Sequence, residues 1–221
     1  SQDGIAETGS ACSASDAAHF QNLNGALGSL AEVESMSQVG TTPYTMMLGL
    51  GANGTAGVKG TAGPTAGWPQ ILTGEGGPVA IDPLHPANWY VNNGAGVSIH
   101  VCSQTSPCTA TDFGSTPVVG NANVNGDGFT MLWPAPFLVD PLDPSQLIIG
   151  TCRIWRGPAN GVGWTLANAI SPMFDGNRNN AACSGNALIR TLAAMPLAGG
   201  GEIVYAGTFG AESGGATVPG H

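Results

Sequence analysis

The sequence predicts an all-β fold built from repeated antiparallel units. The first sign is a strand–turn–strand segment that occurs twice at one spacing: VAIDPLHPANWYVNNG at 79–94 and FLVDPLDPSQLIIG at 137–150. Asp82 and Asp140 are 58 positions apart, as are Tyr90 and Ile148, and a weaker copy, EIVYAG at 202–207, puts Tyr205 57 positions after Ile148. A fixed period of this kind marks a repeat architecture. Composition is the second sign. With 35 Gly and 16 Pro in 221 residues and only 9% charged, the chain suits many short strands joined by tight turns. Third, Val97, Ile99 and Val101 alternate with Ser98, His100 and Cys102, the period of two expected of a strand.

The repeated turn has a physical basis. An Asp side chain accepts hydrogen bonds from backbone N–H groups just after it, which stabilises a tight turn. Pro83 and Pro141 then fix φ, while Pro86 and Pro144 stop the turn from extending into helix. Asp82 and Asp140 are therefore expected to be turn-makers rather than catalysts.

Taken in order, residues 1–43 form an N-terminal arm or an incomplete leading segment, with little alternation and a short helix expected at 26–36. His19 lies here and is expected to be an ordinary packed or surface histidine. Repeats then fall near 44–74, 75–121, 131–174 and 187–210. The first holds an apolar strand at 44–50, a loop or loose hairpin of small residues at 51–67, and a short strand at 68–72. The second holds strands near 78–81, 88–92, 96–102 and 116–119. The third holds strands near 136–139, 146–150, 152–156 and 164–170. The last holds strands at 187–193 and 202–208, followed by a small polar tail.

Two stretches carry candidate chemistry. Asn121, Asn123 and Asn125 with Gly126 and Asp127 have the spacing of a calcium loop, but Leu132 stands where a bidentate Glu belongs and Asp127 is the one carboxylate. The expectation is a plain Asn/Gly turn and no cofactor, with calcium the alternative. Arg153 and Arg156 flank Ile154-Trp155, and Arg beside Trp can bind a ligand by stacking and cation–π contact. The competing reading places Trp155 in the core and both arginines at the surface or in ion pairs. Arg153, Trp155, Arg156 and Asp127 are the candidate ligand-binding residues; no catalytic residue is assigned.

A formal net charge of −9, with five Lys and Arg together, excludes the basic footprint that nucleic-acid binding needs and disfavours anionic membranes. No apolar run approaches the ~20 residues needed to cross a bilayer. The polar start Ser1-Gln2-Asp3 carries no signal peptide, as in a mature secreted chain. The cysteines point the same way. Cys102 and Cys108 flank a short loop between candidate strands, and Cys152 and Cys183 belong to one repeat, so the pairs Cys102–Cys108 and Cys152–Cys183 are expected, with Cys12 left over. Metal ligation is the rival reading; neither pair has C-x-x-C spacing, and His100 is the only His close to these four.

Four-stranded units at a period near 57, with D-P-x-x-P between the first two strands, resemble the blades of a β-propeller of the sialidase type, whose BNR or Asp-box repeats are shared by xyloglucanase-like hydrolases and sortilin-like ectodomains. The Asp-box, S-x-D-x-G-x-x-W, is matched at 157–164 by Gly161 and Trp164, whereas Gly157 and Ala159 stand at its Ser and Asp positions. The resemblance spans about 44–210. It implies four-stranded antiparallel blades, about three to four in this chain, against roughly four to eight in a complete propeller. Partner copies, or the remainder of a propeller, would then complete the open edges.

The function expected is that of a secreted, non-catalytic module for glycan or protein binding or for extracellular assembly. A glycoside hydrolase of the sialidase or xyloglucanase-like type is the alternative. Sialidases need an Arg triad, a Tyr nucleophile and acidic partners; no motif assigns Arg153, Arg156, Arg178 or Arg190 to such roles. The xyloglucanase-like enzymes need two placed aspartates, for which Asp112, Asp127 and Asp175 are the free candidates. A Ser–His–Asp hydrolase is disfavoured, since no G-x-S-x-G motif is present.

Overall fold

A computed structural model describes residues 6–8, 20–22, 32–40, 45–60, 68–103, 108–174 and 187–208, with Cys183 and Gly185. Strands β1 (Ala6–Thr8) and β2 (Phe20–Asn22) pair with each other. Four antiparallel sheets then follow in chain order. The first contains β3 (Glu32–Val39), β4 (Thr45–Gly51), β5 (Gly54–Lys59) and β6 (Gln70–Leu72). The second contains β7 (Val79–Ile81), β8 (Asn88–Asn92), β9 (Ser98–Ser103) and β10 (Val119–Gly120). The third contains β11 (Phe137–Val139), β12 (Gln146–Gly150) and β13 (Ile154–Pro158), and a single antiparallel bridge from Trp155 to Ala169 stands where a fourth strand would lie. The last pairs β14 (Ile189–Pro196) with β15 (Glu202–Thr208). Each sheet is a simple meander.

The D-P-x-x-P turn is the same object in both copies. Asp82 Oδ1 accepts from the N–H groups of Leu84 (2.8 Å) and His85 (3.0 Å); Asp140 Oδ1 accepts from Leu142 (2.8 Å) and Asp143 (3.1 Å). The backbone closes identically around each, Asp82 N–H to Asn88 O and Asp140 N–H to Gln146 O. Both carboxylates are buried.

Successive sheets meet through their first strands: β7 lies against β3 and β4, β11 against β7, and β14 against β11 and β12. The N–H of Val79 donates to Ser35 Oγ at 3.0 Å and that of Ile81 to Ser37 Oγ at 2.9 Å. Both numbers rise together, so β3 and β7 run the same way, and serine hydroxyls satisfy the edge donors of β7. Alternation along each strand sends side chains to two interfaces. Val79, Ile81, Trp89 and Val91 pack toward the first sheet with Met47 and Ile71. Ala80 and Tyr90 pack toward the third with Phe137, Val139, Leu147 and Ile149. Ile148 and Ile154 pack toward the last with Ile189 and Val204. Burial on both faces explains why 79–81 and 147–149 read as continuous apolar runs; each such aliphatic side chain contributes roughly 1.5–3 kcal/mol.

Several expectations need correction. Within 26–36, the residues from 32 onward are strand β3, not helix; 26–31 lie outside the described residues. The exposure of Glu32–Val39 alternates, and the half-buried Ser35 and Ser37 bond to the neighbouring sheet. The first sheet therefore begins at 32 rather than near 44. The loop expected at 51–67 contains strand β5, whose Gly54, Thr55, Ala56 and Gly57 are buried. Small residues serve there because a Cβ on Gly57 would stand 2.8 Å from the Trp89 ring. The strand expected at 152–156 sits at Ile154–Pro158, and 164–170 holds a 3₁₀ turn, Leu166–Asn168, capped by Thr165. Both expected disulfides, Cys102–Cys108 and Cys152–Cys183, are present and compatible with an extracellular protein. Cys12, His19, Asp175, Arg178 and the tail from 209 lie outside the described residues. No helix among the described residues is long and apolar enough to cross a membrane.

Candidate functional site

The four candidate ligand-binding residues fall into two groups. Asp127, Arg153 and Trp155 are fully buried together with Thr151. Arg153 donates from Nε to Asp127 Oδ2 at 2.7 Å and from Nη2 to Oδ1 at 3.0 Å, a bidentate pair. Trp155 Nε1 donates to Asp127 Oδ2 (3.1 Å) and to Thr151 Oγ1 (3.0 Å), and the Thr151 hydroxyl donates to Asp127 Oδ2 at 3.1 Å. The guanidinium carbon of Arg153 lies 4.6 Å from the Trp155 ring centre. These groups are spent on one another in the interior, so their role here is to knit the turn before β11 to the β12–β13 connection. Arg156 is separate and partly exposed, and ties the third sheet to the last by pairing with Asp140 and Glu202.

The oxygens of the calcium-loop pattern diverge. Asn121 Oδ1 accepts from Val97 N–H, Asn123 Oδ1 accepts from Gly120 N–H, and Asp127 is held by Arg153. Asn125 sits at φ +54° beside Gly126 at +76°, the geometry of an Asn/Gly turn. Asp127, Cys152 and Cys183 also converge within 4.8 Å, but the two sulfurs are bonded to each other and supply no thiolate for a metal.

A different set of residues lines a cleft of about 810 Å³ where the first strands begin: Glu34, Glu75, Pro78, Trp133, Pro134 and Arg190. All four sheets contribute to it. Glu34 lies in β3, Pro78 precedes β7, Trp133 and Pro134 precede β11, and Arg190 lies in β14. The Arg190 guanidinium carbon stands 3.4 Å from the Trp133 ring centre, a stacked cation–π pair. Trp133 is held from behind: its carbonyl accepts from Gly96 N–H at 2.9 Å, and Asn92 Nδ2 donates to the carbonyls of Gly96 and Ala135, each at 2.9 Å. Gly96 adopts φ +69°, and a Cβ there would stand 2.3 Å from Gly128 O, so only glycine allows this approach. Glu75 is anchored through its carbonyl, which accepts from Ala52 N–H at 2.9 Å. The cleft thus presents two exposed carboxylates, one guanidinium and an indole on a fixed backbone.

No local motif marks these residues, but their spacing does. Glu75 and Trp133 are 58 positions apart and Trp133 and Arg190 are 57 apart, the repeat period itself. Equivalent positions in successive sheets converge, and the repeat displays a different side chain at each.

No protein-family model matches this chain, and no curated protein matches it either.

Proposed function

We propose that this chain is a secreted, non-catalytic β-propeller module of the sialidase-type repeat class that binds a glycan in the cleft around Trp133. The observation that carries this reading is the convergence of Glu75, Trp133 and Arg190, one repeat period apart, with Glu34 around one opening. An indole surface backed by hydrogen-bonding groups of both kinds suits a sugar ring, which has apolar C–H faces and a polar rim. The blade assignment is supported by successive meanders joined through their first strands, and by the turn at 157–164. There the Trp164 ring lies over Gly157 and its Nε1 donates to Pro158 O at 2.9 Å, although the Ser and Asp of an Asp-box are missing. Two disulfides support secretion. Calorimetric titration with a panel of neutral oligosaccharides tests the reading. Trp133→Ala is expected to weaken binding of the preferred glycan by about tenfold, roughly 1.4 kcal/mol. Unchanged affinity in that variant would remove the cleft from consideration.

A glycoside hydrolase is the second reading, favoured by two carboxylates, Glu34 and Glu75, lining the same cleft. Release of reducing sugar by the wild type, lost in both Glu34→Gln and Glu75→Gln, would establish it. Binding without release in all three supports the non-catalytic module.

A further inference from the structure

A second opening lies at the far ends of β7 and β11 from the Trp133 cleft. Pro78 and Pro134 enter those strands from the first cleft, whereas Asp82 follows β7 and Pro144 follows β11. Between the second and third sheets the chain parts around a space of about 430 Å³, whose largely apolar wall, with Val101, Pro144 and Ala159, is rimmed by polar groups of Asp82, His85, Asn88, Tyr90, Ser145 and Asn160.

The chemistry of this opening follows from the turn that the sequence repeats. Asp82 Oδ1 is occupied by the turn, and its Oδ2 faces His85 Nδ1 at 2.9 Å. A carboxylate oxygen accepts, so it draws a ring N–H to His85 Nδ1 and leaves Nε2 on the opposite side of the ring. The His85 ring itself is 69% exposed. Tyr90 is 5% exposed, and among the described residues its hydroxyl has no hydrogen-bond partner although it borders the opening. Burial, reinforced by the Asp82 charge, raises its pKa, so the phenol keeps its proton and is a donor. Asn160 Oδ1 is taken by Val162 N–H at 3.0 Å, which turns its amide N–H groups toward solvent as donors. The Ser145 hydroxyl donates to Asp143 at 2.6 Å and keeps its lone pairs for accepting. The only copy of the turn that carries His is this one; the other has Asp143 at the equivalent position.

We propose that this opening is a second binding site, for a neutral polyhydroxylated ligand of the monosaccharide class, with His85 Nε2 accepting from one ligand hydroxyl and the Tyr90 hydroxyl donating to another. Anionic ligands are disfavoured by the Asp82 carboxylate in its lining. An ammonium ligand offers no acceptor to the buried phenol.

The site is independent of the Trp133 cleft, and the test keeps the two apart. Protein labelled on His and Tyr rings, of which the chain has 4 and 3, is titrated in turn with glucose, galactose, N-acetylglucosamine and inorganic phosphate while ring signals are followed by NMR. The expected result is a saturable shift of the His85 and Tyr90 rings with at least one sugar and none with phosphate. Tyr90→Phe, which keeps the packed ring, and His85→Ala, at an exposed position, should each weaken that binding by about tenfold, the worth of one ligand hydrogen bond. Trp133→Ala should leave it unchanged. The proposal is overturned if no sugar shifts either ring, if phosphate shifts them instead, or if Tyr90→Phe binds the sugar as tightly as the wild type.

Discussion

Asp127 shows how much one side chain can hold when it is removed from water. It accepts from Arg153 twice, from Trp155 and from Thr151, and joins segments 24 to 28 residues apart. Removing one member of a buried ion pair leaves an uncompensated charge, which costs roughly 3–5 kcal/mol, whereas replacing both with apolar groups can be near neutral. Asp127→Ala should therefore lower stability by about that amount in urea titration. The double substitution Asp127→Leu with Arg153→Met should recover most of the loss. Tyr90 supplies a pH dependence. Its folded pKa is raised by burial and then by the Asp82 charge. A raised value means that the unfolded chain loses this proton first. The contribution is thus complete below the ordinary tyrosine value, near 10, and is lost as pH rises through the folded value. Difference absorbance should show Tyr90 ionising above the ordinary tyrosine range, and Tyr90→Phe should flatten the alkaline fall in stability.

The D-P-x-x-P turn is the element on which the architecture repeats. Its Asp is consumed by two backbone N–H groups in each copy, and in the third sheet Asp140 also pairs with Arg156. Asp140→Ala should cost about 1–3 kcal/mol in chemical denaturation, since it leaves two turn amides without their acceptor and Arg156 with Glu202 alone. Next to it, hydrogen bonds from Ser145 and Gln146 hold the Asp143 carboxyl below its usual value. This stabilisation is present above the unfolded carboxyl pKa and disappears as pH falls through the lower folded one. Amide exchange at Ser145 should accelerate over that acid range. Packing between strands is equally specific. A Cβ on Gly49, in the middle of β4, would stand 1.8 Å from Gly77 O, so Gly49→Ala must push the first and second sheets apart. A loss of about 1–3 kcal/mol in thermal or urea unfolding is expected.

At the scale of the molecule, the sheets are linked in series by first-strand contacts, by apolar interfaces on both faces, and by crosslinks within repeats. The Cys152–Cys183 disulfide closes a 31-residue separation behind the Asp127 network. Constraining a loop of that size in the unfolded chain stabilises by roughly 3–4 kcal/mol. Replacing both cysteines by serine should lower the melting temperature markedly, whereas the same change at Cys102 and Cys108, only six apart, should have a smaller effect.

The strands of the second sheet, the first two of the third and both disulfides were legible because their causes are local: the Asp-Pro turn, the alternation at 97–102 and the cysteine spacing. Strand β3 was not, because Glu32–Val39 owes its place to Ser35 and Ser37 meeting the edge of β7, 44 positions away. Strand β5 was hidden for a similar reason, as its glycines make room for a tryptophan of the next sheet. The candidate site divides along the same line. By itself the chain determined that Asp82 and Asp140 build turns, that the strand–turn–strand segment of the second sheet recurs 58 residues later in the third, and that Arg153, Trp155 and Asp127 are chemically unusual here. Only tertiary packing decided that those three face one another inside, and that Glu75, Trp133 and Arg190 face a common opening, because burial and convergence depend on which sheet lies alongside, and no single repeat contains that information.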